Sequence, residues 1–136
     1  MITGKVLDTS AVLDISTGAS IYGQALLRIS NQLGTTLAVP MATYSTAWQV
    51  STDDQERLWL DLLVDDDAEP SIVVLPLDAP HARASGLLAA GAGQPNAPQG
   101  TVHAAQVAIE RSWPVVTKTP DAVLALSSDV RTETIP

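Results

Sequence analysis

Lys5-Val6-Leu7-Asp8-Thr9-Ser10-Ala11-Val12-Leu13 is the stretch whose reading decides the fold. Two apolar residues run into an aspartate, two hydroxyl residues follow, and a second apolar run begins. A short buried strand ending at Val6 and Leu7 places the Asp8 carboxylate at its C-terminal end, where open α/β sheets take their ligands. Thr9 and Ser10 are short hydroxyl residues able to hydrogen-bond that carboxylate and hold its orientation. The position reads as a metal or phosphate site.

Outward from there, strands and helices alternate. Ile21, Ala25, Leu26, Ile29 and Leu33 follow helical spacing between Ala19 and Leu33, and Gly34 stops that helix. Leu37-Ala38-Val39 is a short buried strand closed by Pro40, and Met41 to Val50 is a weak helix, since Thr43 and Thr46 disfavour it. Thr52 with Gln55 fits a capping box for a helix carrying Leu58, Trp59, Leu62 and Leu63. Ser71-Ile72-Val73-Val74-Leu75 is a continuous β-branched run of the kind that parallel sheets bury on both faces. Asp78 is a helix N-cap for a run of small residues to about Ala90. Gly91 to Gln99 is a Gly/Pro/Asn loop. Thr101 to Ser112 is helical, Val115-Val116-Thr117 is a strand, Pro120 to Leu126 a short helix, and Val130 to Ile135 an edge strand. Asp14 reads as a loop residue. The alternation predicts an α/β fold, one three-layer α/β/α domain over residues 1–136 around a central parallel sheet.

Composition narrows the chemistry. An apolar fraction of 46% is too high for a disordered chain. No apolar run reaches the roughly 18 residues of a membrane span and no secretory leader is visible, so a cytoplasmic, membrane-free protein is the expectation. Cysteine is absent, which excludes disulfides, thiolate catalysis and Cys/His zinc sites. His81 and His103 lack a serine nucleophile at suitable spacing, so neither reads as a general base. Gly91-Ala92-Gly93 is a flexible connection, because no strand precedes it and no Gly-Lys-Ser/Thr follows.

The net charge is −8, and residues 53–69 contain eight acids against the single base Arg57. The other bases are scattered, so the charge does not support RNA or general nucleic-acid binding. The acidic run reads as a solvated helix face and loop; its sharper reading is a docking surface for a basic partner. Leu60 and Val64 make the helix around Trp59 apolar over more than one face. That predicts a homodimer with Trp59 or Leu60 near the interface.

The order of elements and their local motifs resemble the PIN-domain family (PilT N-terminus), the fold of many bacterial toxin ribonucleases. Val6-Leu7-Asp8-Thr9-Ser10-Ala11 is similar to its first motif and Leu37-Ala38-Val39-Pro40 to its second strand. Val73-Val74-Leu75-Pro76-Leu77-Asp78 with Ala82 and Gly86 resembles the approach to its fourth helix. His103-Ala104-Ala105 and Trp113-Pro114-Val115-Val116-Thr117 resemble the closing helix and strand. The likeness covers nearly the whole chain.

The resemblance implies a fold, a dimer, an antitoxin as partner and, in the members that cut RNA, three or four acids around Mg²⁺ or Mn²⁺. Residue by residue, only Asp8 stands in register. Thr46 occupies the place of the second acid, Gly100 the third and Thr119 the fourth, with Asp121 two residues beyond as a substitute. The expectation is a degenerate member without nuclease activity and with no resident metal, acting as a binding or regulatory module. The alternative is a toxin-like, Mg²⁺/Mn²⁺-dependent endoribonuclease with a rearranged site using Asp8, Asp121 and either Asp14 or Asp78. Ser10, Thr46, Gly100 and Thr119 line the pocket in either case.

Overall fold

The computed structural model describes residues 3–65, 67 and 69–136. β1 (Gly4–Leu7), β2 (Thr36–Pro40), β3 (Ile72–Leu75), β4 (Val115–Thr117) and β5 (Thr132–Thr134) form a parallel sheet in the order β3-β2-β1-β4-β5. The helices are α1 (Thr9–Thr17), α2 (Ile21–Leu33), α3 (Met41–Val50), α4 (Asp54–Leu63), α5 (Ala79–Gly91), α6 (Gln99–Arg111) and α7 (Pro120–Leu124).

Strand periodicity splits the core in two. Successive side chains point to opposite faces. Leu7, Leu37, Val39 and Val116 pack on one face with Val12 and Ile15 of α1, Leu26 of α2 and Leu60 of α4. Val6, Ala38 and Val115 pack on the other with Ala89 of α5, Val102 and Ala105 of α6, and Val123 of α7. The predicted three layers follow directly.

Four local expectations need correction. Asp14 is not a loop residue but lies within α1, which Asp8 caps and whose Ala11, Val12 and Ile15 turn inward at helical spacing. The capping residue of α4 is Asp53, one position after Thr52. Its carboxylate accepts from Glu56 N at 2.8 Å, while Glu56 Oε2 reaches back to Thr52 N at 3.0 Å. Leu60 is fully buried, whereas Leu58 and Trp59 are about half exposed at 53% and 47%. On α2, Leu26 faces inward but Ile21, Ile29 and Leu33 lie on the outside. The acidic segment is exposed at Asp53, Asp54, Asp61, Asp65 and Asp67 and half-buried at Glu56; Asp66 lies outside the described residues.

Candidate functional site

β1 is the central strand. The chain leaves it toward β2 and β3 on one side and returns to β4 and β5 on the other. The C-terminal ends of β1 and β4 therefore flank a topological switch point, the place where such sheets hold ligands. Asp8 lies there, buried, its backbone N–H donating to Val116 O.

The Asp8 carboxylate is held by neutral donors. Oδ1 accepts from Ser10 Oγ at 2.6 Å and from Ala11 N at 3.0 Å, the second bond capping α1. Ser10 Oγ in turn accepts from Lys118 N at 2.9 Å, so Asp8 is tied to the loop after β4. In that loop Thr119 N donates to Thr117 Oγ1 at 2.9 Å.

The other wall is built where α3 and α6 meet. Thr43 Oγ1 donates to Gly100 O at 3.0 Å, and Thr46 Oγ1 donates back to Ala42 O at 2.8 Å. A Cβ added at Gly100 would collide with Thr9 Oγ1, would lie 3.3 Å from Thr43 Cα and 3.5 Å from Thr46 Oγ1. The Thr43 contact is backbone, which does not move aside. Glycine is thus what lets α6 approach α1 and α3 here.

No family model matches the sequence, and no curated protein does. Solved structures do match. A chain of the DNA-bound VapBC of Salmonella typhimurium superposes with a TM-score of 0.71 at 17% identity, covering 98% of each chain. A chain of VapBC2 from Rickettsia felis, bound to a DNA fragment from their promoter, gives 0.70 at 13% identity over 97% of this chain and 98% of that one. A chain of FitAcB from Neisseria gonorrhoeae gives 0.60 at 19% identity over 94% and 95%. The fold is PIN-like. At these identities the likeness establishes the architecture and nothing about activity.

Against that PIN-like frame, Asp8, Ser10, Thr46 and Gly100 gather near the switch point, and Thr119 lies in the adjoining loop. Asp121 is exposed in the first turn of α7, where an acid favours the helix dipole. Among the described residues no three of Asp, Glu and His come together as a metal-binding group. The donor set does not fit the divalent cation that the resemblance implies. It offers one carboxylate, with Oδ1 already accepting two hydrogen bonds, and hydroxyls engaged with the backbone.

Asp14 is elsewhere and differently held. Its side chain is fully buried near the C-terminal end of α1, with Ser20 Oγ donating to Oδ2 at 2.6 Å. Lys118 Nζ lies 2.8 Å from Oδ1, an ion pair held by charge rather than by a directed hydrogen bond. Asp78 caps α5 as predicted and pairs with His81 Nδ1 at 2.5 Å; His81 Nε2 stands 3.3 Å from Glu110. The hydrogen bond to Asp78 raises the His81 pKa, and the bonds from His81 lower that of Asp78.

Sequence reasoning missed the role of His103. It is buried, and its Nδ1 accepts from Ala42 N at 3.3 Å, capping the first turn of α3 from a distant helix. Burial, aided by His81, pushes its pKa down to about 4, so the ring is neutral near pH 7. One signal was available: Pro40 precedes α3 and offers no side-chain acceptor, so the helix needed a cap from elsewhere.

Proposed function

We propose that this chain is a PIN-like binding module without metal-dependent nuclease activity, working in a bacterial cytoplasm through a protein partner of the antitoxin kind. Gly100 carries this reading. At the position where an active relative would present its third acid, even a methyl group would collide with the Thr9 hydroxyl and press on the α3 backbone at Thr43. With Thr46 and Thr119 at two other positions, the pocket lacks the clustered negative charge that holds Mg²⁺ or Mn²⁺. The ribonuclease alternative would have to draw on Asp121, exposed on α7, and on either Asp14, committed to Lys118, or Asp78, committed to His81. With seven Lys and Arg scattered along a chain of net charge −8, the charge does not support RNA binding.

The partner reading rests on the exposed apolar surface. A groove of about 320 Å³ runs between the end of α1, α2 and α4, lined by Ile15, Leu27, Trp59 and Leu62. Trp59 is the residue type enriched in interface hot spots. The outward stripe of Ile21, Ile29 and Leu33 on α2 adds apolar surface that a lone chain leaves wet. Relatives of this fold crystallise as VapBC and FitAcB complexes. A partner segment with apolar anchors is therefore the proposed occupant, and a second copy of the chain is the other outcome of the test.

Two measurements decide the matter. Millimolar Mn²⁺ should leave the melting temperature unchanged, because a site with real affinity stabilises the fold by mass action. A rise of several degrees that disappears in Asp8→Asn would overturn the metal-free reading. Sedimentation equilibrium at micromolar concentration tests the expected homodimer: a monomer of 14.2 kDa for the isolated chain would leave the groove to a partner segment. A dimer dissociated by Trp59→Asp would instead assign the groove to self-association.

A further inference from the structure

The α1/α2/α4 groove is apolar in most of its lining, and the charge it meets is negative. Ser16, Thr17 and Gly18, where α1 stops, line it together with Leu62 and Leu63, where α4 stops. The C-terminal end of a helix carries about half a negative charge. Two such ends therefore border one space.

Glu69 adds a full charge to that space. Among the described residues it is the only charged member of the lining, it is half-buried, and no Lys or Arg pairs with it. Its Oε2 accepts from the neutral Asn31 Nδ2 at 3.3 Å. Other carboxylates drawn away from solvent have their cations: Asp14 has Lys118, and Glu133 has Lys5. Arg57, the one base of the acidic segment, is committed to Ser51 O and Asp54. Asp61, Asp65 and Asp67 stand exposed around the end of α4 and deepen the negative field. Trp59, about half exposed in the same lining, offers an aromatic face on which a Lys or Arg can lie.

A second copy of the chain is a poor match for this charge. A twofold pair closing on the groove sets one patch against itself. Each segment 53–69, with its eight acids against Arg57, would then face its twin. Like charges brought together at an interface cost affinity, whereas opposite charges steer and hold a partner.

Given the partner segment proposed above for this groove, on which the inference depends, we propose that the segment is basic and amphipathic. Its apolar side chains fill the space along Ile15, Leu27 and Leu62, and one Lys or Arg pairs with Glu69 beside the ends of α1 and α4. The carboxylate thereby gains the counter-ion that its own chain does not supply.

Three helical peptides with one leucine pattern, their polar positions all Lys, all Gln or all Glu, test the proposal by calorimetry on the full chain. At low salt the Lys peptide should bind at least tenfold more tightly than the Gln peptide, and added salt should shrink the difference. The Glu peptide should not bind. Glu69→Gln keeps the side-chain shape and an oxygen for Asn31; it should remove most of the Lys peptide's advantage and leave the Gln peptide unchanged. Asp129→Asn removes an equal charge from a different cavity, beside Ile109 and Trp113, and should alter neither peptide. Trp59→Ala should weaken the Lys and Gln peptides alike. Equal affinity for these two peptides, with Trp59→Ala weakening both, would overturn the basic partner and leave the groove as a partner site. A Lys advantage that survives Glu69→Gln, or falls as much in Asp129→Asn, would do the same by showing general attraction to an acidic chain. Binding indifferent to Trp59→Ala, or no binding of either peptide, would overturn the groove reading together with the proposal.

Discussion

Asp8 and Asp14 stand on one helix, both buried, and are stabilised in opposite ways. Asp8, at the N-cap, receives a hydroxyl, a backbone N–H and the positive end of the α1 dipole, all neutral groups or partial charges. Asp14 receives a full positive charge from Lys118 and a hydroxyl from Ser20. Ser20 in turn accepts from Gly23 N at the start of α2, and a side chain at Gly23 would collide with Asp14 Oδ2. The carboxylate at the ligand-binding end of the sheet is thus the less elaborately held of the two. The acid paired with the half-exposed Lys118 is a strut between α1, α2 and the loop after β4. Burial of a carboxylate does not by itself mark chemistry; the identity of its partners does.

That contrast orders the effects of substitution. Lys118→Met should be the most damaging, because it leaves Asp14 charged, fully buried and without its counter-ion. A loss of about 4 kcal/mol in denaturant-determined stability is expected. Asp14→Ala should cost less, about 2 kcal/mol, since the orphaned Lys118 is already 40% exposed and turns to water. If the two losses were equal, Lys118 would be as trapped as Asp14 and the asymmetry would fail. Asp8→Ala should cost about 1 kcal/mol for the lost cap, while Asp8→Asn, which still accepts from Ala11 N, should change stability by less than about 0.5 kcal/mol. An Asp8→Asn loss as large as that of Asp14→Ala would show that Asp8 is held as an ion pair too.

Much of the architecture was legible because it rests on local chemistry. The β-branched run ending at Leu75 is a strand paired with β2, although as the sheet's edge it leaves Val73 exposed instead of buried on both faces; Gly34 adopts a left-handed conformation at the end of α2, and Asp78 caps α5. The position of Asp8 followed from the same kind of signal. What was illegible depends on contacts distant in sequence. Asp14 read as a loop residue because its hydroxyl and β-branched neighbours, Thr9, Ser10, Val12 and Thr17, disfavour a helix, yet packing of Val12 and Ile15 on the sheet overrides that weak preference. Lys118 gave no hint of its partner, which lies more than a hundred residues earlier. Leu60 and Trp59 are adjacent apolar residues, and only the seating of α4 against α1 and α3 decides which is buried. The closure at Gly100 was equally hidden, since a missing acid is visible in sequence but a missing space is not.

The hydrogen bond from Ala42 N to His103 Nδ1 spans 61 residues. Pro40 cannot close the first turn of α3 with its own side chain, so that turn is finished only when α6 docks. Docking of α6 thereby adds to the stability of α3 through a contact distant in sequence. The Ala42 amide proton is a one-atom reporter of that docking, protected from exchange with solvent while the two helices stay together.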